Sequence, residues 1–286
     1  MNKTLDGWIS GFIGVLIFSG SLPATRAAVT GFDPVFLTSA RAALAGLLGL
    51  VSLALLRQRR PRLRDLPSLA VIACGVVVGF PFLSALALQY VSSAHSLVLI
   101  GLLPLATAVF GVLRGGEKLR PAFWLFAALG STFVVAYAAR QGGATWTGDL
   151  LMLAAIVICG LGYAEGGKLS RRLGGWQVIS WSLTLSLPVM LPLAVITRPA
   201  TFAAVGTGAW AGLAYVALGS MLLGFVFWYR GLALGGIAAV GQLQLLQPFF
   251  GLGLAALLLG EAVSGTMLAS ALGVVVCVAG ARKFAA

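Results

Sequence analysis

Charged residues are scarce in this 286-residue chain: they make up 9%, against 60% hydrophobic residues, and mean hydropathy is +1.03. A soluble domain is roughly 25% charged, so a soluble enzyme is excluded. Histidine occurs once, at His95, which leaves no His cluster to hold a metal. The three cysteines, Cys74, Cys159 and Cys277, fall in separate apolar stretches without a CxxC pair, so neither a disulfide framework nor a metal site is expected. Gly160-Leu161-Gly162 and Gly251-Leu252-Gly253 lie within apolar helices with no strand before them, which removes the nucleotide-loop reading. No cofactor is expected. Long polar stretches are missing too. At about 20 residues per membrane helix, ten helices occupy roughly 200 residues and leave no room for an extramembrane domain.

What is present is a series of apolar runs, at about 7–27, 34–56, 67–89, 94–114 and 121–140, then at about 148–167, 176–196, 209–233, 237–259 and 263–282. The first run is about 20 residues long and lacks a small-residue cleavage site, so it reads as a mature helix rather than a signal peptide. With the N-terminus inside, 15 of the 19 basic residues fall on the inner side. Arg26, Arg140 and Arg198 fall outside, and Arg41 lies within a span. This positive-inside bias predicts cytoplasmic N- and C-termini. It also accounts for the +12 charge without nucleic acid as a partner.

Self-comparison yields a repeat. Pro104 to Glu117 (PLATAVFGVLRGGE) matches Pro248 to Glu261 (PFFGLGLAALLLGE), 144 residues on. Gly79-Phe80-Pro81-Phe82 recurs as Gly224-Phe225-Val226-Phe227, and Ala128-Leu129-Gly130 as Ala271-Leu272-Gly273. A five-helix unit is odd in number, so the second copy enters the membrane from the opposite side. The expected fold is all-α: a polytopic membrane protein of ten transmembrane helices built from two inverted five-helix repeats, residues 1–143 and 144–286. Inverted repeats point to a transporter with its site near mid-membrane.

The segment GFVFWYRGLA at 224–233, Gln247-Pro248 inside the ninth run and LLGE at 258–261 resemble the EamA repeat of the drug/metabolite transporter superfamily. The first copy is similar through Ala85-Leu86-Ala87-Leu88, Ser92-Ser93-Ala94, Pro104 and Gly116-Glu117. The resemblance implies a carrier of small organic metabolites across a bacterial inner membrane, most similar within that family to the YddG-type exporters of aromatic amino acids. It also implies Glu before the ninth-helix proline, where this chain has Gln247.

Prolines within the runs mark expected hinges at Pro23, Pro81, Pro104, Pro188 and Pro248, because each removes a backbone hydrogen bond. Polar and aromatic groups in the runs give the candidate substrate contacts: Ser21, Phe82, His95, Leu99, Tyr163, Trp181, Phe227, Gln242, Gln244 and Gln247. At 100° per residue Gln244 and Gln247 share a face and Gln242 points elsewhere. Each glutamine serves equally well as interhelical glue. Glu165 and His95 are the candidate coupling groups. Glu165 is also explained by an i,i+3 pair with Lys168, and His95 by a structural role. Arg41 either attracts a substrate carboxylate or snorkels to the headgroups. The deep runs hold no paired Lys or Arg, which argues against phosphorylated substrates.

The expected function is a secondary transporter exporting amino acids, aromatic or hydrophobic ones preferred, by alternating access. The alternatives are multidrug or lipophilic-cation efflux and a passive channel. An enzyme is not expected, since His95 and Glu165 lie toward opposite ends of the membrane. The partners are a small solute and lipid, and the sequence leaves monomer or homodimer open.

Overall fold

A computed structural model describes residues 3–91, 95–96, 99–139, 145–247, 249–251, 253–254 and 265–285. These residues form helices and the turns that join them, with no strand among them. Six helices are long and apolar enough to span a membrane: α1 (Lys3–Ala28), α2 (Pro34–Leu55), α3 (Leu63–Ala87), α6 (Trp146–Leu173), α7 (Gly175–Ile196) and α8 (Thr207–Gly235). The shorter apolar helix α4 (Ile100–Leu113) and helix α5 (Pro121–Ala139) separate the two sets of three. After α8 come α9, which begins as Ile237–Gly241 and tightens over Gln242–Leu246, and α10 (Gly265–Lys283).

Polarity is inverted relative to a soluble protein. Leu44, Leu47, Leu48 and Val51 of α2 and Leu185, Val189 and Ile196 of α7 face outward, whereas Ser39, Arg41, Glu165, Ser182, Gln242 and Gln244 are buried. With lipid as solvent, polar groups lower their free energy by turning inward to partners or cavities.

Helix starts and reversals follow local chemistry. Asp33 accepts from Val35 N–H at 2.7 Å with Pro34 in the first turn, and so starts α2. Gly174, at φ +92°, reverses the chain from α6 into α7 in one residue, a conformation that a Cβ opposes. Helix α2 packs along α7, α1 along α8, α3 along α6, and α5 against α10. In the α1–α8 contact, a Cβ on Gly231 would lie 2.7 Å from Gly11 Cα, and one on Gly7 2.5 Å from the Gly235 nitrogen. Backbones that close need glycine on both sides.

Four helices depart from α geometry in matching ways. In α3 the wide π form runs over Ala73–Gly79, and in α8 over Tyr215–Gly224, the two ending 145 residues apart just before Phe80 and Phe225. In α4 a 3-10 turn covers Ile100–Leu102, and in α9 one covers Gln242–Leu246. The 3-10 turns have a direct cause. Pro104 has no N–H to offer the Ile100 carbonyl, so Leu103 N–H takes it instead. Gln247 N–H takes the Gln244 carbonyl in the same way, four residues before Pro248 in sequence.

Of the expected hinges, Pro81 and Pro104 each follow one of these irregular stretches. In α1 the break falls at Gly20, and Pro23 sits in the first turn beyond it, where its missing N–H is no loss. Pro188 lies inside the uninterrupted helix Gly175–Ile196, so no break marks it. Pro248 lies outside the described residues.

Candidate functional site

The irregular stretches converge on one cavity. Its wall takes Phe18, Ser21, Leu22 and Thr25 from either side of the α1 break. Val76, Phe80, Pro81 and Ser84 come from α3, and Ile100 and Leu103 from α4. Ser220 and Phe225 come from α8, and Gln247 follows the 3-10 turn of α9. Among the described lining residues, only Arg41 and Tyr163 come from regular helices, α2 and α6.

The polar groups are arranged in three sets. Ser21 Oγ donates to Ser220 Oγ at 2.8 Å, which joins α1 to α8. Gln247 Nε2 donates to the Phe18 carbonyl at 3.3 Å, and its Oε1 remains as an acceptor. The third is Arg41, 5% exposed, with no ion-pair partner among the described residues and no hydrogen bond to its Nε. The apolar side is an aromatic cluster in which Phe225 has its ring centroid 5.0 Å from Phe18 and 5.8 Å from Tyr163. Trp228 packs behind Tyr163 at 5.4 Å. The cavity is small, about 30 Å³, against roughly 300 Å³ or more for an occupied small-molecule site. A solute enters only when the walls part.

Ion pairs close the bundle on both sides of the cavity. At the end where α4 and α6 terminate, the fully buried Glu165 accepts from Arg114 Nε at 2.5 Å and from Ser68 Oγ at 2.9 Å. Beside it, Glu117 accepts from Arg171 at 2.8 Å and from the N–H groups of Ile237 and Ala238 at 2.7 and 2.8 Å, so it caps the start of α9. Asp65 pairs there with Arg172. At the opposite end His95 Nε2 lies 2.7 Å from Asp149 Oδ1, tying the chain before α4 to the first turn of α6.

Of the substrate contacts expected from sequence, the cavity gathers Ser21, Tyr163 and Gln247. Phe82 and Phe227 are not in the wall, where Phe80 and Phe225, the residues that directly follow the two π stretches, stand instead. Leu99 yields to its neighbour Ile100. His95 is engaged with Asp149, and Trp181 lines a basic cleft at the far end of α6. Gln242 and Gln244 are fully buried behind the wall, their amides without hydrogen-bond partners among the described residues. Glu165 pairs with Arg114 and Ser68, not Lys168. Sequence alone did not single out Thr25, Ser84 or Ser220, since hydroxyl residues occur throughout the spans. The recurring Gly-Glu marker was the one signal for the capping role of Glu117.

Comparison with known proteins agrees with this architecture. A protein of known crystal structure superposes over 96% of this chain and 97% of its own with a TM-score of 0.78 at 22% identity, a likeness of fold alone. Uncharacterized transporter YdeK of Bacillus subtilis (strain 168) is 65% identical over the full length of both chains. A probable terminal-alkyne amino-acid exporter of Streptantibioticus cattleyicolor is 26% identical over 86% of this chain and 83% of its own. Residues 6–137 and 146–282 each match the EamA-like transporter family. A multi-pass membrane chain matched along both halves in this way belongs to the EamA-like transporter family, and it is a transporter rather than an enzyme.

Proposed function

We propose that this protein is a secondary carrier that exports small carboxylate-bearing solutes, amino acids with apolar or aromatic side chains foremost, by alternating access. The observation that carries this reading is Arg41. An unpaired guanidinium held in an otherwise neutral membrane cavity is costly, and a carboxylate offers it a bidentate partner. The acceptor Oε1 of Gln247 suits a substrate ammonium, and Phe18, Tyr163 and Phe225 suit an apolar side chain. The name of the 26%-identical relative points to the same substrate class.

The architecture belonging to this reading is ten transmembrane helices in two inverted repeats, residues 1–143 and 144–286, in a bacterial inner membrane with both termini cytoplasmic. The matched π and 3-10 stretches support it. So do the packing pairs, since exchanging the helices of one half for those of the other turns the α1–α8 contact into α6–α3. The stretches at Gly20, Ala73–Gly79, Ile100–Leu102, Tyr215–Gly224 and Gln242–Leu246 act as the moving parts. Glu165 carries the coupling role: separation from Arg114 opens its end of the bundle.

Efflux of lipophilic cations is disfavoured by the charge of Arg41 and by the lack of any carboxylate among the described lining residues. The test is flux into liposomes holding purified protein, with labelled Trp, Phe, Met and a lipophilic cation, with and without a pH gradient. Saturable Trp flux and counter-exchange with unlabelled Phe are expected. Flux of the cation but of no amino acid overturns the reading, and non-saturating flux replaces it with a channel.

A further inference from the structure

A second feature lies outside the transport cavity, at the end of the bundle where α2 runs into α3 and α6 into α7. Two clefts of about 480 and 390 Å³ adjoin there through Arg172, which lines both. Arg64 and Lys168 line the larger, and Arg57 and Arg59 the smaller. The single carboxylate among these residues, Asp65, is 2% exposed and already held by Arg172 and the Arg62 N–H, so it offsets one of the five cations. The smaller cleft has an apolar wall formed by Trp181 and Leu173.

Arg57 is held there against backbone preference. At φ +48° it is the one non-glycine residue with positive φ among those described, and it occupies the position after α2 where glycine is usual. Gln58 N–H bonds back to the Leu53 carbonyl, as that terminating turn requires. A side chain kept where glycine is easier points to a role for its charge.

We propose that these clefts form a binding site for the phosphate of an anionic phospholipid headgroup, with Arg57, Arg59, Arg64, Lys168 and Arg172 supplying the donors and Trp181 flanking the glycerol and upper acyl chain. A guanidinium cluster matches phosphate oxygens, basic pockets between membrane helices suit such headgroups, and tryptophan settles at headgroup depth. The site holds the α2–α3 and α6–α7 connections together and is independent of which solute crosses the central cavity.

The experiment uses the full chain in detergent, loaded with phosphatidylglycerol or phosphatidylcholine, with retained lipid counted by native mass spectrometry and thermal unfolding followed in parallel. The variant is Arg57→Gly with Arg59→Gln. Glycine is at ease at φ +48°, so the α2 terminus stays formed. Arg120→Gln removes an exposed charge outside the clefts as control. The wild type is expected to retain phosphatidylglycerol over phosphatidylcholine, with affinity falling about fivefold for each cleft charge removed, and Arg120→Gln is expected to match the wild type. Inorganic phosphate that stabilises the wild type and displaces phosphatidylglycerol supports the phosphate site and moves its source from bilayer to solution. Equal retention by the cleft variant and the wild type overturns the proposal, as does an equal loss in Arg120→Gln.

Discussion

Arg114 and Glu165 form an ion pair at 2.5 Å although one is half exposed and the other is wholly shielded from solvent. The asymmetry ranks two variants. Arg114→Ala leaves a buried carboxylate with Ser68 alone, a loss of about 3 kcal/mol or more. Glu165→Gln keeps the shape and the Ser68 contact and leaves Arg114 hydrated, a loss of about 1–2 kcal/mol. Thermal unfolding in detergent should therefore place Arg114→Ala below Glu165→Gln, and the reverse order would count against the pair. In liposomes Glu165→Gln is expected to retain exchange while losing acceleration by a pH gradient.

Arg41→Gln separates binding from folding. No partner is lost when an unpaired guanidinium is removed, so the unfolding temperature should hold or rise. Carboxylate-bearing substrates should lose at least about tenfold in apparent affinity, the scale of one charged hydrogen bond. Arg41→Lys keeps the charge without the bidentate fork and should recover part of the loss. Unchanged Trp counterflow in Arg41→Gln would remove the residue from the binding site.

Pro104→Ala restores an N–H opposite the Ile100 carbonyl and lets α4 return to regular geometry. The expected outcome is a protein more stable by about 1 kcal/mol that transports severalfold more slowly, because a moving part has stiffened. Faster hydrogen exchange around Ile100 in the variant would contradict this account.

Gly231→Leu places a side chain where even a Cβ would lie 2.7 Å from Gly11 Cα, against backbone that cannot yield. A loss of about 3 kcal/mol or more is expected, at the upper end for overpacking, with poor recovery of folded protein. Gly253→Ala, whose Cβ meets nothing within 4 Å among the described residues, should be close to neutral in the same assay.

The membrane character and the helical build were legible along the chain because lipid acts on composition: apolar length and the prolines are one-dimensional properties. The π and 3-10 stretches fall beside the recurring sequence markers, and the 3-10 turn of α4 has a local reason in the N–H that Pro104 lacks. The site was legible only in part. Depth along a run could not separate Phe82 from Phe80 or Phe227 from Phe225, and the wall takes the residue that directly follows each π stretch, Phe80 and Phe225.

Arg41 and Glu165 show where the sequence ran out. Along the chain, Arg41 was as well placed for the headgroups as for a substrate, and Glu165 for Lys168 as for any distant partner. Packing decided both. It set Arg41 in the cavity wall, and carried Arg114 from the end of α4 to Glu165, 51 residues away. The sequence by itself determined that this chain lives in a membrane, since transfer to lipid depends on what each segment contains. Tertiary structure alone decided which charges are paired and which one faces the cavity, since electrostatic partnership depends on distances of a few ångströms between segments far apart in the chain.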